Sequence, residues 1–216
     1  MRIWAVQNWS WIEGRTPGEV PGVLPRGFYH RDAISVARDL LGHGLLSFCG
    51  GGVTGGTIVE TEAYCGVLDR ASHAFHYRRT ERTEPMYGQP GNVYVYRIYG
   101  LHDCLNVACL REGEPHAVLI RAVIPEVGDQ RMARRRSRGA ESAPTLSLSD
   151  GPGKLCQALG IDRGLNGASF ACGPVIAVGP KLCGEIRAVP RVGLGNVGEF
   201  ALMPWRFTLE GVTPHG

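Results

Sequence analysis

Lysine is nearly absent from this chain of 216 residues. Lys154 and Lys181 are the only two lysines, and the other cations among the 23 basic residues are arginines. Arginine carries a planar fork of donors that suits phosphate, so this composition permits an anionic partner. A genomic base composition that favours arginine codons explains the ratio equally well. With a formal net charge of only +3, charge excludes no class of function.

Paired cysteines and long apolar runs are also missing. The seven cysteines form no C-x-x-C pair, so neither a disulfide framework nor a zinc site is expected. Four of them lie in apolar runs, as buried free thiols do: Cys104, Cys109, Cys156 and Cys183. No segment has the length and apolarity of a membrane span or of a signal peptide. We therefore expect a reducing, cytoplasmic compartment and no membrane partner.

No internal repeat or linker divides the chain. Its hydrophobic content of 44% is that of a globular protein with a substantial core. Residues 1–26 lack periodicity and hold Trp4, Trp9 and Trp11, so we predict an irregular arm packed by its aromatic rings. The remaining residues, 27–216, are predicted to form one domain.

The sequence TIVETEAY, which begins at residue 57, alternates with the period of a β-strand. This alternation predicts one face with four side chains: Ile58, Glu60, Glu62 and Tyr64. Two carboxylates make a poor wall for an apolar core, and His73 follows closely enough to fold back over them. The alternative is a solvated edge strand whose acids prevent pairing with other chains.

Two helices and a glycine-rich turn are predicted around this strand. Asp32 is a suitable N-cap for a helix over 33–41, and a second helix is predicted over 152–159. The glycines at 50–52 and 55–56 are predicted to form a turn between two strands. Because that turn leads into a strand rather than a helix, it does not indicate a phosphate-binding loop.

A β-hairpin is predicted over residues 92–109, with its break at Tyr99 and Gly100. Tyr94 and Tyr96 fall on one face of its first strand. An aromatic ring at an exposed tip is awkward for an isolated protein, and insertion between stacked bases would explain it. The alternative is that Tyr99 packs sideways on its own sheet.

A central strand is predicted over residues 116–125, a nearly continuous apolar run that Arg121 interrupts. An unpaired buried guanidinium is costly, so Arg121 must have a carboxylate partner, either Glu62 or Glu60. The pair is either a structural ion pair or part of a small polar pocket.

Two basic stretches admit two interpretations. The polar loop over 75–90 contains Arg78, Arg79 and Arg82, and a run of arginines over 131–138 follows a predicted helical start at Glu126. Each is either a surface that grips a phosphate backbone or merely a solvated segment.

Five motifs together resemble the 3-methyladenine (alkyladenine) DNA glycosylase family. They occur in the family's order and spacing between about residue 27 and residue 209. The motifs are VETEAY at 59–64 with a histidine nine residues on, YVYRIYG at 94–100, CLN at 104–106, LIRA at 119–122 and GPGKLCQAL at 151–159. Any one of them is weak, but their conjunction is specific.

The resemblance implies an α+β fold: a single compact domain with a curved antiparallel β-sheet, flanking helices and a protruding β-hairpin. It implies that Glu62 is the general base that activates water. Arg121 and the backbone carbonyl of Val192 are in positions that help to hold it.

The resemblance also implies a base pocket and a DNA contact surface. Pocket residues are Tyr64 and His73 on one wall, Tyr96 on the opposite wall, and Asn106, which crowds the exocyclic amine of normal guanine. The implied DNA contacts are Tyr99, which fills the gap left in the duplex, Leu101 beside it, and Arg78 and Thr80 at phosphates. The two acids at Glu81 and Glu84, and Arg97 and His102 beside the hairpin tip, depart from the family's pattern.

The implied activity is a monofunctional DNA glycosylase of base excision repair. Such an enzyme flips an alkylated or deaminated purine out of duplex DNA, hydrolyses its N-glycosidic bond and leaves an abasic site. No lysine lies in the motifs to form a Schiff base with the sugar. We expect a monomer without cofactor or metal, acting on double-stranded DNA and nucleoid-associated if the source is bacterial.

Two other functions compete with this interpretation. One is a metal-assisted or carboxylate-pair hydrolase of small molecules or sugars that uses Glu60, Glu62 and His73. It predicts loss of activity on chelation and no DNA binding. The other is a non-catalytic nucleic-acid module that uses only the Tyr99 hairpin, for which Glu62→Gln has no effect.

Overall fold

A computed structural model describes residue 9 and residues 11–137, 147–179 and 181–211. Within these residues eight strands form one antiparallel sheet, in the order β3-β4-β5-β2-β1-β6, with β8 paired to β2 and β7 to β8. The strands are β1 Gly44–Ser47, β2 Thr54–Cys65, β3 Val93–Ile98, β4 His102–Cys109, β5 His116–Val127, β6 Val175–Val178, β7 Glu185–Val189 and β8 Arg206–Glu210. The helices are α1 Arg26–Tyr29, α2 Ala33–Leu40, α3 Asp129–Arg136 and α4 Pro152–Leu159. The predicted α+β class and the single compact sheet domain with its hairpin are confirmed.

Helix α2 begins where the sequence predicts. The Asp32 carboxylate accepts a hydrogen bond from the backbone N–H of Ser35, as an N-cap does. Its buried side chains join the main core, and the Thr61 hydroxyl of β2 donates to the carbonyl of Ala37 at 2.8 Å. This contact fixes β2 against the helix, so the opposite face of β2 is left for other side chains.

Strand β2 lies inside the sheet, so the edge-strand alternative is wrong. It pairs with β5 on one side and with β1 and β8 on the other. Its register with β5 shifts between Ile58 and Glu60, a bulge that puts Val59 out of step with the alternation. The prediction that Ile58 shares a face with Glu62 is therefore wrong, because Ile58 is buried in the main core together with Ala63.

Gly55 and Gly56 belong to β2 and not to the turn, which corrects a further prediction. Neighbouring strands approach too closely for a side chain at either position. A Cβ on Gly55 would lie 2.1 Å from the Leu45 carbonyl oxygen, and one on Gly56 would lie 1.7 Å from that of Ile124. The glycines are thus needed for strand packing, while the turn proper precedes β2.

The arginine run does not begin with a helix at Glu126, because that residue still belongs to β5. Helix α3 begins at Asp129. Its Arg135 side chain donates to the carbonyls of Cys49 and Ala158 at 2.7 and 2.9 Å. The Arg135 side chain therefore stabilises the glycine-rich turn and does not point into solvent.

Three arginines of this run are used inside the fold. Besides Arg135, Arg131 donates to the Val53 carbonyl at 2.9 Å, and Arg136 contacts Gln157 on α4. Arg134 is exposed, and Arg138 lies outside the described residues. Among the described arginines of this run, the two alternatives therefore stay open for Arg134.

The described part of the N-terminal arm packs on the sheet. Trp9 is buried in a second cluster with Ile12 and Val178, and its indole N–H donates to the Glu126 carboxylate at 2.7 Å. The predicted Trp4 contact lies outside the described residues.

Two expectations from the composition can be compared with the fold. Cys183 is exposed, so its prediction as a buried thiol is wrong, whereas Cys104, Cys109 and Cys156 are buried as expected. Among the residues that the structure describes, no helix has the length and apolarity needed to cross a membrane.

Candidate active site

A cavity of about 670 Å³ opens on the side of the sheet opposite α2. Its walls come from strands β2, β3, β4 and β5, from the connection that follows β2, and from the segment around residues 192–197. This volume lies within the range that small-molecule sites occupy, roughly 300–1,000 Å³. The cavity is large enough for one nucleobase and part of its sugar.

Glu62 lies at the floor of this cavity with 0% of its surface exposed. Three donors surround its carboxylate. The backbone N–H of Val192 donates to Oε1 at 2.8 Å, and the Tyr64 hydroxyl donates to Oε2 at 2.9 Å. The Arg121 guanidinium lies 3.3 Å from Oε1. These contacts fix the carboxylate in one position at the end of the cavity.

The contact with Val192 differs from the expected one. Val192 touches Glu62 through its amide N–H and not through its carbonyl. A carboxylate oxygen accepts hydrogen bonds, so an N–H is the backbone group that holds it, while a carbonyl would repel it.

Arg121 is shared between two carboxylates, which confirms that it is paired. Its Nε donates to Glu60 at 2.8 Å, and Arg206 of β8 donates to the same Glu60 oxygen at 3.0 Å. Burial alone lowers the pKa of Arg121, but Glu62 and Glu60 outweigh this effect and hold its pKa above the usual value. A network of two acids and two arginines therefore lies under the cavity.

A buried ion pair that no sequence pattern indicates lies behind the cavity wall. The side chains of Asp69 and Arg191 are fully buried and form a forked contact with distances of 2.6 and 2.9 Å. The guanidinium lies 4.8 Å from the Tyr64 ring centre, within cation–π range. Because Arg191 directly precedes Val192, this pair fixes the segment that binds Glu62.

No local signal marks this pair. Asp69 and Arg191 are 122 residues apart. Neither lies in a periodic segment whose pattern would indicate a buried charge. Only the three-dimensional fold brings them together.

His73 forms part of the side wall as a neutral ring. Burial, together with Arg82 and Arg78, lowers its pKa to about 4. Arg82 lies 3.4 Å from Nε2, and a guanidinium only donates, so Nε2 is the acceptor. The proton is therefore assigned to Nδ1, which donates to the Tyr94 hydroxyl at 2.9 Å.

The rings of His73 and Tyr96 are in contact, which differs from the implied arrangement on opposite walls. Their centres are 4.5 Å apart and their planes are nearly perpendicular. Such an edge-to-face contact leaves no space for a planar base between these two rings. Together they form one corner of the cavity, which Tyr64 also lines.

Asn106 is almost completely buried at the back of the cavity. Its Nδ2 donates to the carbonyls of Tyr94 and Cys104, both at 3.1 Å. The amide orientation is thereby fixed, with Oδ1 free of any hydrogen bond to the described residues. This oxygen is an acceptor that a bound base would meet.

The hairpin tip is exposed at the mouth of the cavity. Tyr99 has φ 50° and 85% of its surface exposed, so the alternative that it packs on its own sheet is wrong. Leu101 is also exposed. Arg97 forms a fork with Asp103 at 2.9 and 2.7 Å, which braces the two strands behind the tip.

The basic loop contributes to the same mouth. Arg78 lines the cavity and is exposed. Thr80 is exposed, and its backbone N–H donates to the Thr83 hydroxyl at 2.8 Å. Arg79 forms a fork with Glu84 at 2.8 and 2.6 Å, which accounts for one of the two unusual acids. Of the implied site residues, all but Thr80 and Leu101 line this one cavity.

Comparison with known proteins gives a consistent result. The family model for methylpurine-DNA glycosylase (MPG) matches residues 27–213. A protein of Desulfitobacterium hafniense named "Putative 3-methyladenine DNA glycosylase" is 44% identical over 193 residues, which cover 87% of this chain and 95% of that protein.

Two further relatives carry the same name. The protein of Chlamydia felis is 40% identical, covering 87% of this chain and 96% of its own length. That of Methanocella arvoryzae is 46% identical, covering 86% of this chain and 91% of its own length. A family match over most of the chain and relatives of 40–46% identity leave one conclusion: this chain belongs to the methylpurine-DNA glycosylase family, whose members hydrolyse N-glycosyl bonds in DNA.

Proposed function

We propose that this DNA glycosylase removes damaged purines, among them 3-methyladenine, by flipping them into the cavity above Glu62. The glycosidic bond is hydrolysed there by a water molecule that Glu62 activates. The product is an abasic site in duplex DNA. The observation that carries the proposal is the buried Glu62 carboxylate, held by three donors at the end of a cavity of about 670 Å³.

In the proposed reaction, the C1′–N bond breaks as the base leaves with the bonding electrons. The sugar acquires oxocarbenium character, which the negative charge of Glu62 stabilises. Water then forms the new C1′–O bond and gives its proton to the Glu62 carboxylate. Arg121 and the Val192 N–H keep that carboxylate in place; a part for the Val192 carbonyl in holding the water stays a prediction.

The aromatic residues of the cavity would hold the purine. Tyr64 and the corner formed by His73 and Tyr96 present ring faces and edges to a flat base. An alkylated purine is cationic, so it is favoured near aromatic rings and leaves easily. Neutral His73 adds no positive charge that would repel it. Asn106, whose amide is fixed by two hydrogen bonds, would crowd the exocyclic amine of normal guanine and so disfavour that base.

Extrusion of the base from the duplex costs a few kcal/mol, and least for a damaged or mispaired base. We propose that Tyr99 fills the gap in the duplex, because its exposed ring has no partner in the described part of the chain. Leu101 would support it on the groove side. Arg78 and Thr80 would contact phosphates of the same strand.

The enzyme is proposed to be monofunctional and monomeric. Neither lysine lines the cavity. Lys154 pairs with Asp150, and Lys181 pairs with Asp39. A Schiff base to the sugar therefore has no amine at this site. The expected product is an intact abasic site that needs a second enzyme or alkali for strand cleavage.

The test is incubation with four duplex oligonucleotides, each with a single 3-methyladenine, 7-methylguanine, ethenoadenine or hypoxanthine, followed by alkaline cleavage. We expect excision of at least one lesion by the wild type. Glu62→Gln should lower the single-turnover rate about 10³-fold, within the range for loss of a general base. Glu84→Gln, which changes an exposed acid outside the cavity lining, is the matched control.

The outcome also separates the competing functions. A metal-assisted hydrolase would lose activity on chelation and would not bind the duplexes. A non-catalytic module would bind them, but it would release no base from any. Absence of excision by the wild type from all four duplexes rejects the proposal, and full activity of Glu62→Gln rejects the assignment of the base.

A further inference from the structure

The loop at the mouth of the cavity contains two consecutive strained residues. His76 and Tyr77 have φ 56° and 60°, in the left-handed region that L-residues other than glycine rarely adopt. They lie between Phe75 and Arg78, both of which line the cavity. Strain of this kind persists only where the surrounding structure imposes it, and it is concentrated at functional sites.

The ring of Tyr77 contributes little to the fold in return. Tyr77 is 74% exposed. It forms neither a hydrogen bond nor a ring contact with any residue that the structure describes. His76, in contrast, stacks on Phe75 with ring centres 3.9 Å apart, so its ring has a partner within the loop. The loop therefore presents the Tyr77 ring to solvent at a conformational cost.

Tyr99 has the same combination of properties. It has positive φ and a highly exposed ring; Tyr99 itself lines the cavity, whereas Tyr77 lies between two residues that do. Only four non-glycine residues in the described part of the chain have positive φ, and the fourth is Leu110. The two tyrosines are the most exposed aromatic residues of that part. Two separate loops thus present an unpartnered tyrosine at one opening.

The surroundings of Tyr77 indicate what would cover it. Arg78 and Arg82 follow within five residues, and Arg82 lies over the Tyr96 ring, whereas Arg79 between them is paired with Glu84. A surface with cations beside an exposed aromatic ring matches DNA, whose phosphates pair with arginine and whose bases and sugars present flat or apolar faces. The surface is continuous with the cavity that receives the substrate base.

We propose that Tyr77 is a second aromatic DNA contact, in which its ring packs on a base or deoxyribose of the duplex next to the extruded nucleotide. This contact supplies affinity independently of Tyr99 and takes no part in bond cleavage. The inference rests on the proposed function for its occupant, the lesion-containing duplex.

The test compares Tyr77→Gly with Tyr77→Phe. The probe is a fluorescent duplex with a stable tetrahydrofuran abasic site, titrated by anisotropy at several salt concentrations. We expect Tyr77→Gly to weaken binding about tenfold, since a stacked ring contributes strongly to affinity, and Tyr77→Phe to bind within about twofold of wild type. The salt slope should stay unchanged, because no cation is lost.

Thermal unfolding separates a binding role from a structural one. Glycine accepts positive φ freely, so Tyr77→Gly should unfold at the same temperature as wild type or about 2 °C higher. Weaker binding with an unchanged or higher melting temperature supports the proposal. Weaker binding accompanied by a lower melting temperature shows that the ring is structural, and the proposal is then wrong.

A matched control is Trp11→Ala, which removes a partly exposed aromatic ring from the arm, away from the cavity lining. It should leave DNA binding unchanged. Tight binding by Tyr77→Gly, with normal excision by the wild type, overturns this inference alone. If the wild type neither binds nor excises, the proposed function fails and this inference fails with it.

Discussion

The floor and the mouth of the cavity are built in opposite ways. At the floor, Glu62, Asp69 and Arg191 are buried charges, each with close partners of opposite charge or with hydrogen-bond donors. At the mouth, Tyr77 and Tyr99 are apolar rings exposed to solvent without partners in the described chain. The floor is complete within the protein, whereas the mouth is complementary to something outside it.

This difference has an energetic consequence. A buried charge pair adds little net stability, but loss of one member is costly because the other is left unpaired. An exposed ring costs little to remove, because it has no contacts to lose. Substitutions at the floor should therefore affect folding and chemistry, and those at the mouth should affect binding. Four predictions test this contrast, from the largest effect to the smallest.

The largest effect is expected from Asp69→Asn. This change leaves the Arg191 guanidinium buried without a counter-charge, at a cost of about 3–5 kcal/mol. The thermal midpoint should fall by about 10 °C. Calorimetry or circular dichroism measures it. The control is Glu84→Gln, which breaks an exposed fork with Arg79 and should leave the midpoint unchanged; a similar fall in both variants would contradict the contrast.

The second effect concerns Arg121→Gln. Without this guanidinium, Glu62 loses its cationic partner, while Glu60 keeps Arg206, so the Glu62 carboxylate is held less firmly. We expect the single-turnover excision rate to fall about 100-fold near neutral pH, with DNA affinity within about threefold. Arg206→Gln, which removes a cation from Glu60 alone, is the matched variant and should lower the rate less than tenfold. Equal rates for the two variants would refute a special position for Arg121.

The third effect depends on pH. The pKa of His73 is about 4 in the fold and 6.5 in its ordinary state. Between these values the unfolded chain binds a proton that the folded chain does not, so stability is full above pH 6.5 and is lost as the pH falls towards 4. After allowance for partial solvent screening, His73 accounts for about 2 kcal/mol of this loss. Urea unfolding at pH 7 and 4.5 should show a smaller loss for His73→Gln; an equal loss would contradict the prediction.

The smallest effect on stability is expected from Tyr99→Ala. The ring is exposed, so the free energy of unfolding should change by less than about 0.5 kcal/mol. Excision from duplex DNA should nevertheless fall about tenfold or more, because the extruded state loses the ring that fills the gap. Excision from a single strand should fall less, since no gap forms there. A parallel loss on both substrates would place Tyr99 in the base pocket instead.

Several features of the fold and of the candidate site can be predicted from the sequence. The helix cap at Asp32, the hairpin around Tyr99 and the pairing of Arg121 follow from local patterns and from the cost of an unpaired buried charge. These features depend on residues close together in the chain or on one rule about burial. For that reason the elements and the mouth of the cavity were predictable.

Other features depend on contacts that no local pattern encodes. The bulge near Val59 shifts the alternation by one residue, so Ile58 enters the core although strict alternation places it with Glu62. Gly55 and Gly56 resemble a turn until the approach of neighbouring backbones is known. The Asp69–Arg191 pair joins distant segments, and only the fold reveals it.

Strand β8 pairs with β2 directly beside Glu60 and Glu62, and it brings Arg206 to their network. Arg206 follows Glu60 by 146 residues, so it is synthesised long after the strand that carries Glu60 and Glu62. A chain that stops before β8 lacks both the strand that pairs with β2 at these acids and the second cation of Glu60. If the proposed function is right, such a chain should hold the Glu62 carboxylate less firmly than a chain that includes β8.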